Sequence, residues 1–354
     1  MTAAALKLIA QIHRRCSRQW TLMEVCGGQT HAFLRHGLDR LLTESIHLIH
    51  GPGCPVCVTA SERIDQALAL SKTPGVILCS YGDMLRVPGS DGRDLLGMRA
   101  AGADVRVIYA PLDVLDLARA NPQCQVVFFA VGFETTAPAT ALLAQQAKLL
   151  GVQNLKLLVA HVRIAPVLDQ LLIDPACAID GVLAAGHVCT VMGEPEYVQL
   201  VAQHQVPIVV TGFGAEELLQ GVLCCVDQLE TGEPTLQNAY QQVVDQGGNR
   251  SAQALIDTVF EPMDTPWRGL GMIRAGGYRL RPKFAALDVP PESGTVELGS
   301  ETTDPCPSGL VLQGLLRPNA CPRFGQDCSP DHPLGAPMVS SEGACAAYFR
   351  YTPN

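Results

Sequence analysis

The residues best suited to chemistry are cysteines, of which this chain has 14 among 354 residues. Cys306, Cys321, Cys328 and Cys345 are spaced C-x14-C-x6-C-x16-C in a stretch broken by Pro305, Pro307, Pro322 and Gly325. Thiolates on such loops can converge on a compact metal cluster. Structural zinc sites usually carry two short Cys-Cys knuckles, which this stretch lacks, so the spacing favours a [4Fe–4S] cluster over zinc or unrelated buried thiols. A small, loop-rich segment of this kind would need the metal to hold it together.

Two further thiol motifs lie near the N-terminus. Cys54-Pro55-Val56-Cys57 follows the apolar run Ile46–Ile49 and opens a helical stretch from about Thr59 to Ser71. A helix start favours a thiolate, so the pair reads as a reversible disulfide, with half of a metal site as the alternative. Cys26 ends the run LMEV and is followed by Gly27 and Gly28, which permit tight turning and close backbone approach. An exposed thiolate there would ligate soft iron or attack an electrophile; the bland alternative is a buried small side chain. The neighbouring glycines, Gln29, Thr30 and His31 weigh against burial.

Polar residues at other loop positions are candidates for lining a cleft or moving protons: His31, Asp83, Arg86, Glu134, Thr135, Thr136, His161, His187 and Glu342. Helix capping and core hydrogen bonding explain most residues of these types, and Glu134 would serve equally to start the helix after it. Cys16, Cys79, Cys124, Cys177, Cys189, Cys224 and Cys225 have no ligand-like spacing and are assigned to packing. Cys189 is the least secure of these, because His187 is close by.

The elements that must position these groups are legible as β-rich runs alternating with helical stretches: Leu22–Val25, Ile46–Ile49, Val76–Cys79, Val105–Tyr109, Val126–Val131, Leu155–Ala160, Val182–Ala184 and Ile208–Val210. That rhythm predicts parallel α/β units, whose ligand loops gather at the carboxyl ends of the strands. The expected architecture is two similar parallel-sheet α/β domains flanking a cleft, plus a small irregular C-terminal iron–sulfur domain. The boundaries expected are an N-terminal helix over 1–20, a first domain over 21–122, a second over 123–245 and a cluster-binding domain over 246–354. Asn121–Cys124 marks the expected passage between the sheets, and the rhythm fails after about residue 245.

Composition narrows the classes of function. With 47% hydrophobic residues there is ample material for packed cores, and the formal net charge of −9 disfavours nucleic-acid binding. No apolar run approaches the ~18–20 residues that span a bilayer. No secretory leader pattern is visible, so a reducing, cytoplasmic setting is expected, in which clustered cysteines serve metals or redox work. No phosphate-binding GxxxxGK[ST] loop occurs.

Several long motifs occur together: MEVCGGQTHA at 23–32, HGPGCPVCV at 50–58, YGDMLRVPG at 81–89, GFETTAP at 132–138, and FGQDC followed by MVSSEGACAAYF at 338–349. In these the chain resembles the HypD family of [NiFe]-hydrogenase maturation factors, from about residue 20 to 351. The resemblance implies a scaffold on which the Fe(CN)2CO moiety is assembled, working with a HypC-like chaperone and a HypE-like cyanide donor supplied by HypF. It implies that Cys26 holds the transient iron with a cysteine of the HypC-like partner. Cys54 and Cys57 would be a thiol pair exchanging electrons nearby, and Cys306, Cys321, Cys328 and Cys345 would bind a [4Fe–4S] cluster. Two residues depart from the family pattern: Gln29 stands where relatives usually have histidine, and Gly214 where they carry glutamate. If the latter carboxylate has a task, Glu216 or Glu217 must take it over. A cytosolic iron–sulfur thiol-disulfide oxidoreductase is the competing expectation, and a zinc-stabilised binding protein the blandest.

Overall fold

The computed structural model describes residues 1–290 and 306–352. Every β-rich run of the sequence forms a strand: β1 (Trp20–Glu24), β2 (Ile46–His50), β3 (Val76–Ser80), β4 (Val105–Val107), β5 (Gln125–Gly132), β6 (Leu155–His161), β7 (Gly181–Ala185) and β8 (Ile208–Thr211), followed by the short β9 (Leu236–Asn238). They form two parallel sheets. One has the order β2-β1-β7-β8-β9 and the other β4-β3-β5-β6. Strands such as β3 and β7 are buried at every position, because helices cover both faces of each sheet.

On one face of the first sheet, helices Ala3–Arg15 and Ala215–Thr231 bury Ile9, Ile12, Leu219 and Val222 against Leu22, Leu48 and Val209. Helices Ile164–Ile173 and Pro195–His204 cover the other, over Met23, Val182 and Ile208. The second sheet is enclosed by Ser61–Ser71 and Leu95–Ala100 on one side and by Pro111–Ala120 and Ala137–Leu149 on the other.

Sheet membership does not follow the expected division at residues 122 and 123. β1 and β2 pair into the same sheet as β7 and β8, and β3 and β4 pair with β5 and β6, so the second sheet is inserted within the first. Asn121–Cys124 therefore leads from a helix into β5 of its own sheet, and the passages between sheets follow β2 and β6. Strand runs reveal that parallel units exist, whereas pairing partners depend on which edges meet in space.

The expected boundary at 246 also moves. Helix Arg250–Val259 and the open end of the antiparallel hairpin β10 (Phe260–Trp267) and β11 (Gly271–Leu280) belong to the second sheet's core, where Ile256, Phe260, Tyr278 and Phe284 pack with Val126 and Phe128, while Trp267 and Ile273 near its turn join the first sheet's core. Glycine, proline and arginine had disguised this hairpin as irregular chain. The irregular segment is 306–352, in which the short helices Ser308–Leu312, Ala336–Val339 and Ala344–Tyr351 are joined by turns. It lies against both sheet units: Ala347 and Tyr348 pack on Leu34, and Ala336 and Val339 join the core beside Leu78 and Phe129.

Candidate functional site

Cys26 leaves the carboxyl end of β1 and precedes helix Gly27–Arg35, so the thiol sits at the strand edge where parallel sheets bind ligands. Its Sγ lies 3.8 Å from Nδ1 and 3.9 Å from Nε2 of His187, which is carried by the first turn after β7. The Phe213 ring, from the turn after β8, packs 5.4 Å from the His187 ring and also faces Gly28. Three adjacent strands thus bring Cys26, His187 and Phe213 together.

The thiol is not exposed, as the glycines had suggested, but buried, with 7% of its surface accessible. The glycines admit other backbone instead of solvent: a Cβ on Gly27 would lie 2.3 Å from the carbonyl oxygen of Glu342. Burial pushes the Cys26 thiol up to about 12; the Gln29 and Gly28 backbone N–H groups oppose this, and the Glu24 and Glu342 carboxylates add to it. The protonated thiol is therefore the resting form, and a bound cation is what would favour the thiolate.

Cys54 and Cys57 form a disulfide with Cα atoms 5.2 Å apart, and both are buried. They belong to a one-turn helix, Pro55–Val58, that is separate from Ser61–Ser71. The expected support of a thiolate by a long helix dipole is accordingly weak, because so short a helix sums few peptide dipoles. The preceding loop is in backbone contact with Cys26: Gly27 N–H donates to the Gly53 carbonyl at 3.2 Å, and a Cβ on Gly53 would fall 2.3 Å from the Cys26 nitrogen. Only glycine allows this approach. On its other side, Pro55–Val58 touches helix Ala336–Val339.

Beyond that helix, Cys306, Cys321, Cys328 and Cys345 line one small cavity together with Val311, Phe324 and Met338. The four thiols share an electrostatic environment: burial pushes the Cys345 thiol up, and charges on Cys306, Cys328 and Cys321 push it further. Among the described residues no group of three His, Cys, Asp or Glu side chains is placed to hold a single metal ion. A cluster spreads its four thiolates over four irons, so its donors need not meet at one point. Four cysteines in a mostly apolar lining, and Gly335, whose Cβ would reach 2.3 Å from Cys306 Sγ, fit a group of that kind.

The remaining candidates divide into two sets. His31, Asp83 and Arg86 hold the C-terminal segment: His31 Nε2 contacts the Ser341 carbonyl and its ring abuts Tyr351, Asp83 accepts from Ser341 N–H at 3.1 Å and from the Ser340 hydroxyl at 3.3 Å, and Arg86 donates to the Pro330 carbonyl. Glu134 and His161 are buried at the carboxyl edge of the second sheet. Glu134 does not start its helix; it accepts from Ile164 N–H at 2.9 Å, and its other oxygen has no partner among the described residues. Burial raises its pKa to about 7 and lowers that of His161, which contacts the Thr140 hydroxyl at 3.0 Å, to about 4. Thr135 and Thr136 lie in the turn beside them, and Glu342 sits beside Cys26 as described.

Of the two departures, Gln29 is fully buried, donating to Thr211 Oγ1 at 2.7 Å and to the Ala184 carbonyl at 3.3 Å. It ties the helix after Cys26 to the ends of β7 and β8. Glu217 caps its helix by accepting from Phe213 and Gly214 N–H, both at 2.9 Å, and Glu216 accepts from Thr2.

Sequence reasoning overlooked Glu24. This residue closes β1 with no exposed surface and accepts from Cys26 N–H at 2.9 Å, from the Thr30 hydroxyl and from His50 Nδ1 at 2.6 Å. A charged residue at the end of an apolar strand, two places before a cysteine, was the available signal.

The family model HypD, described as the hydrogenase formation hypA family, matches residues 3–352. The chain is 43% identical over 356 residues to the hydrogenase maturation factor HypD of Rhodobacter capsulatus, covering 99% of this chain and 94% of that protein. It is likewise 43% identical to the protein of that name from Escherichia coli K12, covering 98% and 95%, and 39% identical to that of Cupriavidus necator, covering 95% and 91%.

Proposed function

We propose, from the premise that this chain belongs to the HypD family and is a hydrogenase maturation factor, that it is a redox-active scaffold on which an Fe(CN)2CO unit is assembled. The observation that carries the reading is the contact series of three thiol groups: Cys26, the Cys54–Cys57 loop packed on its backbone, and the four-cysteine cavity behind the helix that Pro55–Val58 touches. The iron is cargo. Cys26 would hold it, with a cysteine of a HypC-like chaperone as a second ligand, and a HypE-like protein supplied by HypF would deliver cyanide.

His187 and Phe213 border the Cys26 thiol and would orient the cargo and limit water around it. Because the thiol rests protonated, iron binding would release that proton; His187, held below its ordinary pKa by burial, is the nearest base to take it. Soft thiolate ligation suits a low-spin iron with diatomic ligands. Cys306, Cys321, Cys328 and Cys345 would hold a [4Fe–4S] cluster, which when bound supplies electrons singly, whereas Cys54 and Cys57 exchange them in pairs. Their burial favours an internal role for that disulfide over exchange with large protein substrates.

The test is infrared spectroscopy of protein purified without oxygen after co-expression with the chaperone and the cyanide-delivering pair. Iron-bound cyanide and carbon monoxide bands are expected and should vanish in Cys26→Ala while the cluster absorption stays. Turnover of small disulfides with no such bands would replace the scaffold by a thiol-disulfide oxidoreductase.

A further inference from the structure

Glu24 holds the backbone of Cys26 directly at its N–H and, through Thr30, whose N–H donates to the Cys26 carbonyl at 3.0 Å, at the first turn of the helix that follows. Its carboxylate takes the Cys26 N–H directly, and the Thr30 hydroxyl that donates to it also lies 3.3 Å from the Cys26 carbonyl. The third donor, His50 Nδ1, is carried by β2, and the far side of that imidazole meets the Tyr348 hydroxyl, with Nε2 3.1 Å from the oxygen. The rings of His50 and Tyr348 stand edge to face, 5.3 Å between centroids. All three side chains are buried, at 0%, 4% and 4% exposure. Tyr348 is one turn from Cys345 on the same helix, Ala344–Tyr351.

A buried carboxylate is costly unless its oxygens are satisfied. Here the donors come from the Cys26 loop, its helix and β2, and the last of them is itself held by the segment that carries the four cysteines. We infer that Glu24 is the positioning residue for Cys26 and that His50 and Tyr348 carry this positioning to the C-terminal cysteine segment, so that the geometry at Cys26 depends on how that segment is seated. Glu24, His50 and Tyr348 touch neither iron nor thiol sulfur in this arrangement; they act through the backbone of Cys26. The inference concerns the apoprotein's geometry and holds whether or not Cys26 receives iron.

The experiment measures the rate at which iodoacetamide alkylates Cys26 in protein free of added iron, followed by peptide mass spectrometry, with the buried Cys189 and half-buried Cys16 as internal references. Tyr348→Phe removes one hydroxyl and should change the Cys26 rate by about fivefold, the equivalent of one neutral hydrogen bond, while both references and the melting temperature hold. His50→Leu should change it more. His50→Gln, whose amide can still donate to Glu24, should return it to within about twofold of the parent. A Cys26 rate unchanged in both Tyr348→Phe and His50→Leu overturns the inference. So does a change shared equally by Cys16 and Cys189, since that reports general loosening. If His50→Leu does not fold, the Tyr348→Phe comparison decides alone.

Discussion

At the first thiol region, Cys26 and the Cys54–Cys57 pair sit on turns fixed by β1 and β2, two strands of a buried parallel sheet. At the second, Cys306, Cys321 and Cys328 sit on turns and Cys345 in the first turn of a helix, among helices of four to eight residues, with Val311, Phe324, Leu334, Met338 and Phe349 as the apolar material around them. The fold itself supplies the first geometry; the second set of thiols rides on a segment with little regular structure of its own, seated by packing against both sheet units. Site and scaffold are separable near the N-terminus and nearly the same thing near the C-terminus.

The largest effect is therefore expected from Cys321→Ala, which should lose all visible iron–sulfur absorption and expose the 306–352 segment to limited proteolysis, while circular dichroism from the two sheets stays close to the parent. A brown, protease-resistant variant would remove the contrast. Gly53→Ala comes next: a methyl 2.3 Å from the Cys26 nitrogen must force the two loops apart, costing about 1–3 kcal/mol by chemical denaturation and disturbing Cys26 without touching the four-cysteine cavity.

Glu134→Gln should act through pH. The folded carboxyl titrates near 7 against an ordinary 4.5, so below about 4.5 neither state is ionised, between the two values only the unfolded state ionises, and above 7 the folded protein bears a buried charge. This residue's contribution to stability thus falls as pH rises from about 4.5 to 7. The glutamine variant should lack that slope, its advantage growing to on the order of 1–3 kcal/mol by pH 8, read from melting at stepped pH. Equal slopes would mean the carboxyl is better solvated than its surroundings indicate. The smallest effect is expected from Gly214→Glu: the backbone there has φ −70°, suited to any side chain, a Cβ would meet only the Glu217 side chain, at 3.2 Å, and stability should move by no more than about 1 kcal/mol.

The strands could be read because parallel strands covered on both faces are short apolar runs, and VILCS and VVFFAV leave little choice. The three-residue β9, with no such run, was missed, and the β10–β11 hairpin was hidden by its glycines and arginines. The cysteines of both regions were legible from type and spacing, but their surroundings were not. Burial of Cys26 is caused by Glu342 and Phe213, which lie far along the chain, and Glu24 matters because His50 and Tyr348 converge on it from other elements. Such convergence is a property of packing, which local pattern does not encode.

The insertion of one sheet within the other has a consequence for synthesis on the ribosome. β2 ends at His50 and its sheet is joined again only at Gly181, so the turn bearing Cys26 has no His187 beside it until the whole inserted unit has emerged. At ~5–20 residues per second that interval is of order ten seconds. During it β1 and β2 wait for their partners, and the inserted sheet in turn waits for helix Arg250–Val259 and the β10–β11 hairpin to complete its core. A newborn chain therefore passes through a stage in which Cys26 is open to any oxidant or metal in the surroundings, and its turn is covered in steps, first by His187 and Phe213 and last by Glu342.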